Sequence, residues 1–411
     1  MDHKKILTGV IALAVVIGGV VFAMNSSNDA NDDSNTNQTV TDNSEEANAN
    51  TVPASDLRVG LNNALREHVN LSGVALRNVF TESPDASAAV AALDNNSIEV
   101  ASLVGVAYGD QAEADFLKLW RQHIDFFANY TVGARDGDQA AMDQALEDLA
   151  GYGEAASNFF EGANPDNLPK TAVKPLLVEH RDLVIDTINL IGAGDFDAAY
   201  LKLAEAADQA GDIANALAGG IAAQMPDKFT GDVNDGEVDL RVALNNALRE
   251  HVNIAGVALR NVFTESPDAG AAVAALDQNS IEVAGLVGSV YGDDAEADFL
   301  KLWRQHIDFF ANYTTAAKTG DQAGMDQALE DLAGYGEAAG NFFEGANENL
   351  PKSAVKPLLV EHRDVVIDTI NLIGASDFDA AYIKLGEAAD QVNKIADALT
   401  GGIVKQSPDK F

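Results

Sequence analysis

The sequence predicts an all-α protein: two tandem copies of a six-helix (three-hairpin) bundle, following an N-terminal transmembrane helix and a disordered linker. Three observations lead there. Apolar residues recur at helical spacing, and no strand-like alternation bounded by hairpin turns is found anywhere in the 411 residues. The chain repeats itself, each copy closing on the same four residues, Pro226-Asp227-Lys228-Phe229 and Pro408-Asp409-Lys410-Phe411. Six of the seven histidines then fall at one repeated helical position: His68, His123 and His180, and His251, His306 and His362. The first two pairs are offset by 183 residues and the third by 182, because Asn164-Pro165-Asp166-Asn167 becomes Asn347-Glu348-Asn349. In the first copy the histidines lie 55 and 57 residues apart, which points to an older triplication of one helical hairpin.

In chain order, residues 1–24 contain the uncharged apolar run Ile6 to Met24, which as a helix reaches roughly 28 Å, near the thickness of a bilayer's hydrocarbon. Lys4 and Lys5 precede it and no further Lys or Arg occurs until Arg58, so the positive-inside rule places everything after Met24 outside the cytoplasm. Val21-Phe22-Ala23 loosely fits a signal cleavage site, which would release a secreted protein. The run exceeds a usual signal core, however, and an uncleaved anchor is expected. Residues 25–55, rich in Asn, Asp and Ser without one basic residue, read as a disordered acidic spacer. The first bundle is expected over 56–229, a polar linker over 230–238 and the second bundle over 239–411.

Within the first copy, helix 1 is expected over 56–80, with Ser83 capping helix 2 and Pro84 in its first turn. Gly109-Asp110, Gly137-Asp138 and Gly194-Asp195 each read as a helix-ending glycine followed by an N-capping aspartate. The longer break 162–169 precedes helix 5, where Pro175 either occupies the first turn or kinks the helix. Short loops make neighbours antiparallel.

Every repeated histidine has large apolar residues three positions before and after it: Leu65 and Leu71, Trp120 and Phe126, Leu177 and Leu183, and likewise in the second copy. All six therefore lie on core-facing stripes. Their polar neighbours, such as Glu67 and Glu179 one position earlier, point elsewhere, so each imidazole needs a partner from another helix. The plain expectation is a structural role, a neutral ring bonded to a carbonyl, carboxylate or hydroxyl across the hairpin. The alternative is that the three histidines of one copy converge on a pseudo-threefold axis and bind zinc or copper. No helix offers a His-x3-His or His-x3-Glu pair, so such a site requires long-range convergence. Glu99/Glu282, Glu154/Glu337 and Asp208/Asp390 are candidates to join a His/carboxylate cluster, although with so many acids in the chain solvated helix faces are the plainer explanation for most of them. The aromatic run Trp120, Phe126, Phe127 and Tyr130 reads as core packing.

A formal charge of −38 argues against nucleic acid and anionic lipid surfaces and favours cations. With no cysteine, disulfides, thiolate metal sites and cysteine nucleophiles are excluded. Neither a Gly-x-Ser-x-Gly elbow, a phosphate-binding loop, His-Glu-x-x-His nor an EF-hand loop occurs.

The segments Leu65-Arg66-Glu67-His68, Ala92-Leu93-Asp94-Asn95-Asn96-Ser97, Leu119-Trp120-Arg121-Gln122-His123, the Ala163-Asn164-Pro165 and Leu168-Pro169 break, and the closing Pro-Asp-Lys-Phe recur in the second copy, with Gln278 in place of Asn95 and Glu348 in place of Pro165-Asp166. Together they resemble a helical-hairpin repeat cassette of exported bacterial proteins, some of which are labelled copper amine oxidase-like after a separate accompanying domain. The resemblance implies export and a helical fold and brings no activity with it. The oxidase's cofactor-forming tyrosine sits in Asn-Tyr-Asp/Glu, whereas Asn129-Tyr130 and Asn312-Tyr313 are both followed by threonine, and the His-x-His copper pair is missing. The expected protein is thus a membrane-tethered, extracytoplasmic, non-enzymatic scaffold or binding protein for a protein or cell-surface polymer, with no cofactor. The alternative is a copper- or zinc-binding protein using the six histidines.

Overall fold

A computed structural model describes residues 51–411. Among them twelve α-helices run in order: α1 (Ala54–Phe80), α2 (Ala86–Tyr108), α3 (Asp110–Asp136), α4 (Gln139–Ala163), α5 (Lys170–Ala193), α6 (Phe196–Gln224), α7 (Gly236–Thr264), α8 (Ala269–Tyr291), α9 (Asp293–Thr319), α10 (Gln322–Ala346), α11 (Lys352–Gly374) and α12 (Phe378–Gln406). The expected membrane anchor, the cleavage motif and most of the spacer lie outside the described residues. None of the described helices is long and apolar enough to cross a membrane.

Two of the expected Gly-Asp junctions form as read. Gly137 and Gly194 adopt the left-handed conformation that ends α3 and α5, and Asp138 and Asp195 accept from the backbone N–H groups of Ala141 (3.1 Å) and Ala198 (3.2 Å). At Gly109 the reading needs correction: α3 starts at once on Asp110, whose side chain caps nothing. Ser83 is not the cap of α2 either. Asp85 holds that position, and its carboxylate is engaged elsewhere in the fold. Pro175 lies inside α5, beyond its first turn. The all-helical expectation has one small exception: β1 (Val52–Pro53) pairs in parallel with β2 (Phe229–Thr230). Thus the end of the expected spacer is ordered, and α7 begins inside the expected 230–238 linker.

Helices α1 to α6 pack in a closed ring, each against its sequence neighbours and α6 back on α1. The odd-numbered members α1, α3 and α5 also touch one another across the middle, and α7, α9 and α11 repeat this arrangement in a second ring. One apolar core, built on Leu61, Leu65, Val100, Phe116, Trp120 and Leu217, fills the first ring. Another, built on Leu244, Leu248, Val283, Phe299, Trp303 and Leu399, fills the second. Burial of such side chains, about 1.5–3 kcal/mol each, drives ring closure.

The two rings belong to one compact unit spanning 48–411. Helix α1 packs along α7, and the contacts are reciprocal. Arg66 bonds Glu250 (2.9 Å) and Arg249 bonds Glu67; Arg77 bonds Asp268 and Arg260 bonds Asp85 (2.5 Å); Tyr200 donates to Asp268 (2.8 Å) and Tyr382 to Asp85 (2.9 Å). Each contact has a partner with the copies exchanged, as in an isologous twofold interface. Burial pushes the Asp85 carboxyl up, but hydrogen bonds and charge from Arg260, with Ser83 and Tyr382, hold it below the usual carboxylate range.

Candidate functional site

The middle of each ring is where the histidines meet. His68 comes from α1, His123 from α3 and His180 from α5, the three helices that touch across the centre. Nε2 of His68 lies 3.2 Å from Nε2 of His123, and the ring centroids of His68 are 5.2 Å from His123 and 6.3 Å from His180. The second ring repeats this: His251 and His306 approach to 3.3 Å, with centroid distances of 5.3 Å to His306 and 6.5 Å to His362. His68 and His123 thus pair with each other, as do His251 and His306, where the plain expectation was a carbonyl, carboxylate or hydroxyl.

Aromatic rings fix this geometry. Tyr152 stacks on His123 at 4.7 Å, Trp120 sits against His123 (4.5 Å) and His68 (4.7 Å), and Phe127 meets His123 and His180 edge-on. The aromatic residues of α3 are therefore core, as read from the sequence, and the core they form is the wall of the histidine site. Tyr335, Trp303 and Phe310 take the same posts in the second ring.

Burial keeps every ring neutral. It is the largest cause that lowers His123 to about 3 and His180 to about 4, and His68, which also faces the other two imidazoles, falls well below its ordinary value. His306 (about 3), His362 (about 4) and His251 behave alike. A hydrogen-bonding interaction with Gln209 opposes part of the shift at His180, and Gln391 does so at His362. Each glutamine is anchored by donating Nε2 to a helix carbonyl, of Leu176 and of Leu358 (both 2.8 Å).

Between two neutral imidazoles 3.2 Å apart, one Nε2–H donates to the other's lone pair, which satisfies those two atoms alone. The Nε1 atoms of Trp120 and Trp303 are buried without a hydrogen bond, and the Nδ1 atoms of the histidines have no close partner, although backbone hydrogen bonding at Trp120 and Trp303 opposes part of the shift at His123 and His306. The same residues line a cavity of about 40 Å³ in the first ring and about 50 Å³ in the second.

Spacing allows a test of fit to a metal. Imidazole nitrogens bound tetrahedrally to zinc at about 2.0–2.1 Å stand roughly 3.3–3.4 Å apart. The His68–His123 and His251–His306 pairs already have this spacing, while His180 and His362 stand farther out. Among the described residues no group of three or more His, Cys, Asp or Glu side chains stands in an arrangement that could hold a metal ion, so a three-histidine site requires the rings to move. The carboxylates named from the sequence supply no ligand either. Glu154 pairs with Lys174 (2.8 Å) and Lys170, Glu337 with Lys356 (3.0 Å) and Lys352, Asp208 with Arg66 (2.6 Å) and Asp390 with Arg249 (3.1 Å). Glu99 and Glu282 lie on the outer faces of α2 and α8, away from the histidines, and desolvation with the nearby Asp390 charge pushes the Glu99 carboxyl up to about 7.

Sequence reasoning missed the buried charges of the α1–α7 interface. Arg66 and Glu67 adjoin His68 and read as the polar flank of one helix, and their partners lie over 180 residues away. Compared with known proteins, the chain matches no family model, no curated protein and no solved structure.

Proposed function

We propose that this chain is an exported, membrane-tethered, non-enzymatic binding protein made of two tandem six-helix bundles, each holding one zinc or copper ion on three histidines. His68, His123 and His180 are the ligands in the first bundle, and His251, His306 and His362 in the second. The observation that carries the reading is the Nε2–Nε2 approach of 3.2 and 3.3 Å, reproduced in both copies at the spacing of ligands on one ion. Neutral imidazoles suit zinc and copper, and burial keeps these rings neutral. The metal would draw His180 and His362 inward, leaving a fourth position towards the small cavity. Export and tethering rest on the apolar run Ile6 to Met24 and on the resemblance to exported repeat cassettes. The non-enzymatic reading is supported by the missing oxidase motifs, since Thr131 and Thr314 follow Asn129-Tyr130 and Asn312-Tyr313.

The test is elemental analysis and titration of residues 48–411, a compact unit with its own cores, with Zn²⁺ and Cu²⁺. About two equivalents should bind, and because burial holds the folded rings neutral, protons should compete with the metal only at about pH 4 and below while the protein stays folded. His123→Ala should remove one equivalent and His123→Ala with His306→Ala both. If the variants melt earlier while metal content stays at zero throughout, the histidines are structural and the protein reverts to a scaffold for a protein or polymer partner.

A further inference from the structure

Away from the histidines, the two bundles enclose a cleft where α1 packs along α7. A cavity of about 50 Å³ lies there among α1, α5, α6 and α7. Asn70 of α1 and Glu250 and Asn253 of α7 line it, and each is only 7 % exposed. Arg66 takes Glu250 Oε2 at 2.9 Å and leaves Oε1 without a partner. Neither asparagine side chain makes a hydrogen bond among the described residues. Asn253 Nδ2 is sealed off, whereas its Oδ1, both ends of the Asn70 amide and Glu250 Oε1 are open to the cleft. Arg77 and Arg260 also line the space, but each already holds a buried aspartate, Asp268 and Asp85. Much of the remaining wall is apolar, with Val74, Ile191, Phe196 and Leu203.

We infer that this cleft binds one small primary alkylammonium, its nitrogen held by Glu250 Oε1 and the side-chain oxygens of Asn70 and Asn253 and its short chain laid against Leu203 and Phe196. Charge selects a cation. Arg66 is shared between Glu250 and Asp208 (2.6 Å), and the charge of Glu282 also reaches Glu250. One guanidinium thus faces three carboxylates. Burial above all pushes the Glu250 carboxyl up, Arg66 opposes this, and Glu282 and Asp208 push it further up. A second cation beside Oε1 relieves that excess of negative charge, and the field of a chain with net charge −38 favours its arrival. Hydrogen bonding selects the head group, since an ammonium carries three donors for three free oxygens and accepts nothing. Size and lining select the tail. At about 10–15 Å³ for each water-sized occupant, 50 Å³ holds roughly four non-hydrogen atoms, one nitrogen and about three carbons.

The twofold counterpart of this cleft lacks the free carboxylate oxygen. Its cavity, about 30 Å³, is lined by Asn70 and Asn253 again but not by Glu67, the residue matching Glu250. The sequence supplies a cause. Arg249, which bonds Glu67, is also held by Asn393 Oδ1 (3.2 Å) and the Ala389 carbonyl (2.9 Å). Gly211 stands where the second copy has Asn393, so Arg66 has no such side chain to hold it.

The probe is n-propylammonium chloride, titrated into metal-free 48–411 by calorimetry against a potassium chloride blank of equal ionic strength. The side-chain amide resonances of Asn70 and Asn253 are followed by NMR. Saturation at one molecule per chain is expected, with both amides shifting. The uncharged 1-propanol, of the same size, should bind at least about tenfold more weakly, as should propylammonium to Glu250→Gln. Glu67→Gln removes the matching carboxylate on the other side and should change affinity less than about twofold. Thermal melts identify any variant that fails to fold, and Ala204→Val, which narrows the cleft from α6, then supplies the loss of binding. No saturation up to about 0.1 M, where screening sets in, would overturn the proposal. So would equal binding of 1-propanol, or equal effects of Glu250→Gln and Glu67→Gln. No metal is present in the experiment, so its failure and failure of the metal reading are separate results.

Discussion

Arg66 and Glu250 are the pair on which the interface between the bundles can be tested most cleanly. Arg66 Nη2 lies 2.9 Å from Glu250 Oε2, and each side chain is only 9 % exposed. Burial, the largest influence, raises the Glu250 carboxyl above its ordinary range in spite of the guanidinium beside it. Desolvation therefore outweighs pairing at this carboxylate. Arg66→Met strands the carboxylate and should cost about 3–5 kcal/mol. Glu250→Leu strands the arginine less severely, because Arg66 keeps Asp208, which is 78 % exposed. The double variant Arg66→Met/Glu250→Leu removes both charges and should return to within about 1 kcal/mol of the parent, since an apolar pair of similar volume replaces a buried ion pair at little or no cost.

Urea unfolding at pH 7 gives these numbers, with fluorescence from Trp120 and Trp303, one in each bundle, as the probe. A double-mutant cycle should show coupling of about 2–4 kcal/mol. Arg121 and Asp94 are the control: they bond twice, at 2.6 and 2.8 Å, but are 43 % and 48 % exposed, and their coupling should stay below about 1 kcal/mol. The Arg66→Met penalty should also shrink as pH falls, because the stranded carboxyl can take up a proton. An additive cycle, or a coupling no larger than that of the surface control, would refute the account of this interface.

Three further outcomes are expected. Because burial depresses the folded-state values of the histidines (to about 3 or 4 where a number can be given), the unfolded chain binds more protons below its ordinary value near 6.5. Metal-free protein should thus be most stable above about pH 6.5 and lose up to about 1.4 kcal/mol per histidine per pH unit as acid is added, read by urea midpoints between pH 7 and 5. A flat profile over that window would contradict the neutral clusters. Ser376 adopts φ +60° where the first copy has Gly194 at +73°, so Ser376→Gly should raise stability by about 0.5–1 kcal/mol, while Gly194→Ala should lower it, both by thermal melting. Tyr382→Phe removes a 2.9 Å donor to the fully buried Asp85 and should cost about 1–3 kcal/mol, and Tyr200→Phe should match it at Asp268.

Helices and their junctions were legible because their determinants are local. Apolar spacing around each histidine put it on an inward face, and Gly137-Asp138 and Gly194-Asp195 carry a stop and a start in adjacent residues. Ser83 and Asp110 were misread as caps: Asp85 takes the cap position of α2 while its carboxylate serves Arg260 and Tyr382 on the facing bundle, and α3 starts on Asp110 itself. Convergence of the histidines was weighed without being readable. It depends on α1, α3 and α5 meeting across the ring, and each helix contributes only one ligand. Least visible were Arg66, Glu67 and their counterparts, since a charge beside a core residue looks the same whether it faces water or another bundle.

The two polar features of the interior differ in a way that bears on function. At the bundle interface each buried arginine and acid finds an opposite charge, and the reciprocal pattern admits one alignment of α1 on α7. Such a network fixes the register of the two copies, although the Nε atoms of Arg66, Arg77, Arg249 and Arg260 find no partner within it. Unpaired buried atoms are therefore not peculiar to the histidine clusters. Triplication and duplication explain why the histidine pattern is copied. What sets the clusters apart is the Nε2–Nε2 approach of 3.2 and 3.3 Å, repeated in both copies. One shared proton holds two imidazoles at that distance, and so does one ion bound by both. Metal titration with the His123→Ala variant separates the two: a shared proton leaves no metal to lose, and an ion leaves one equivalent fewer.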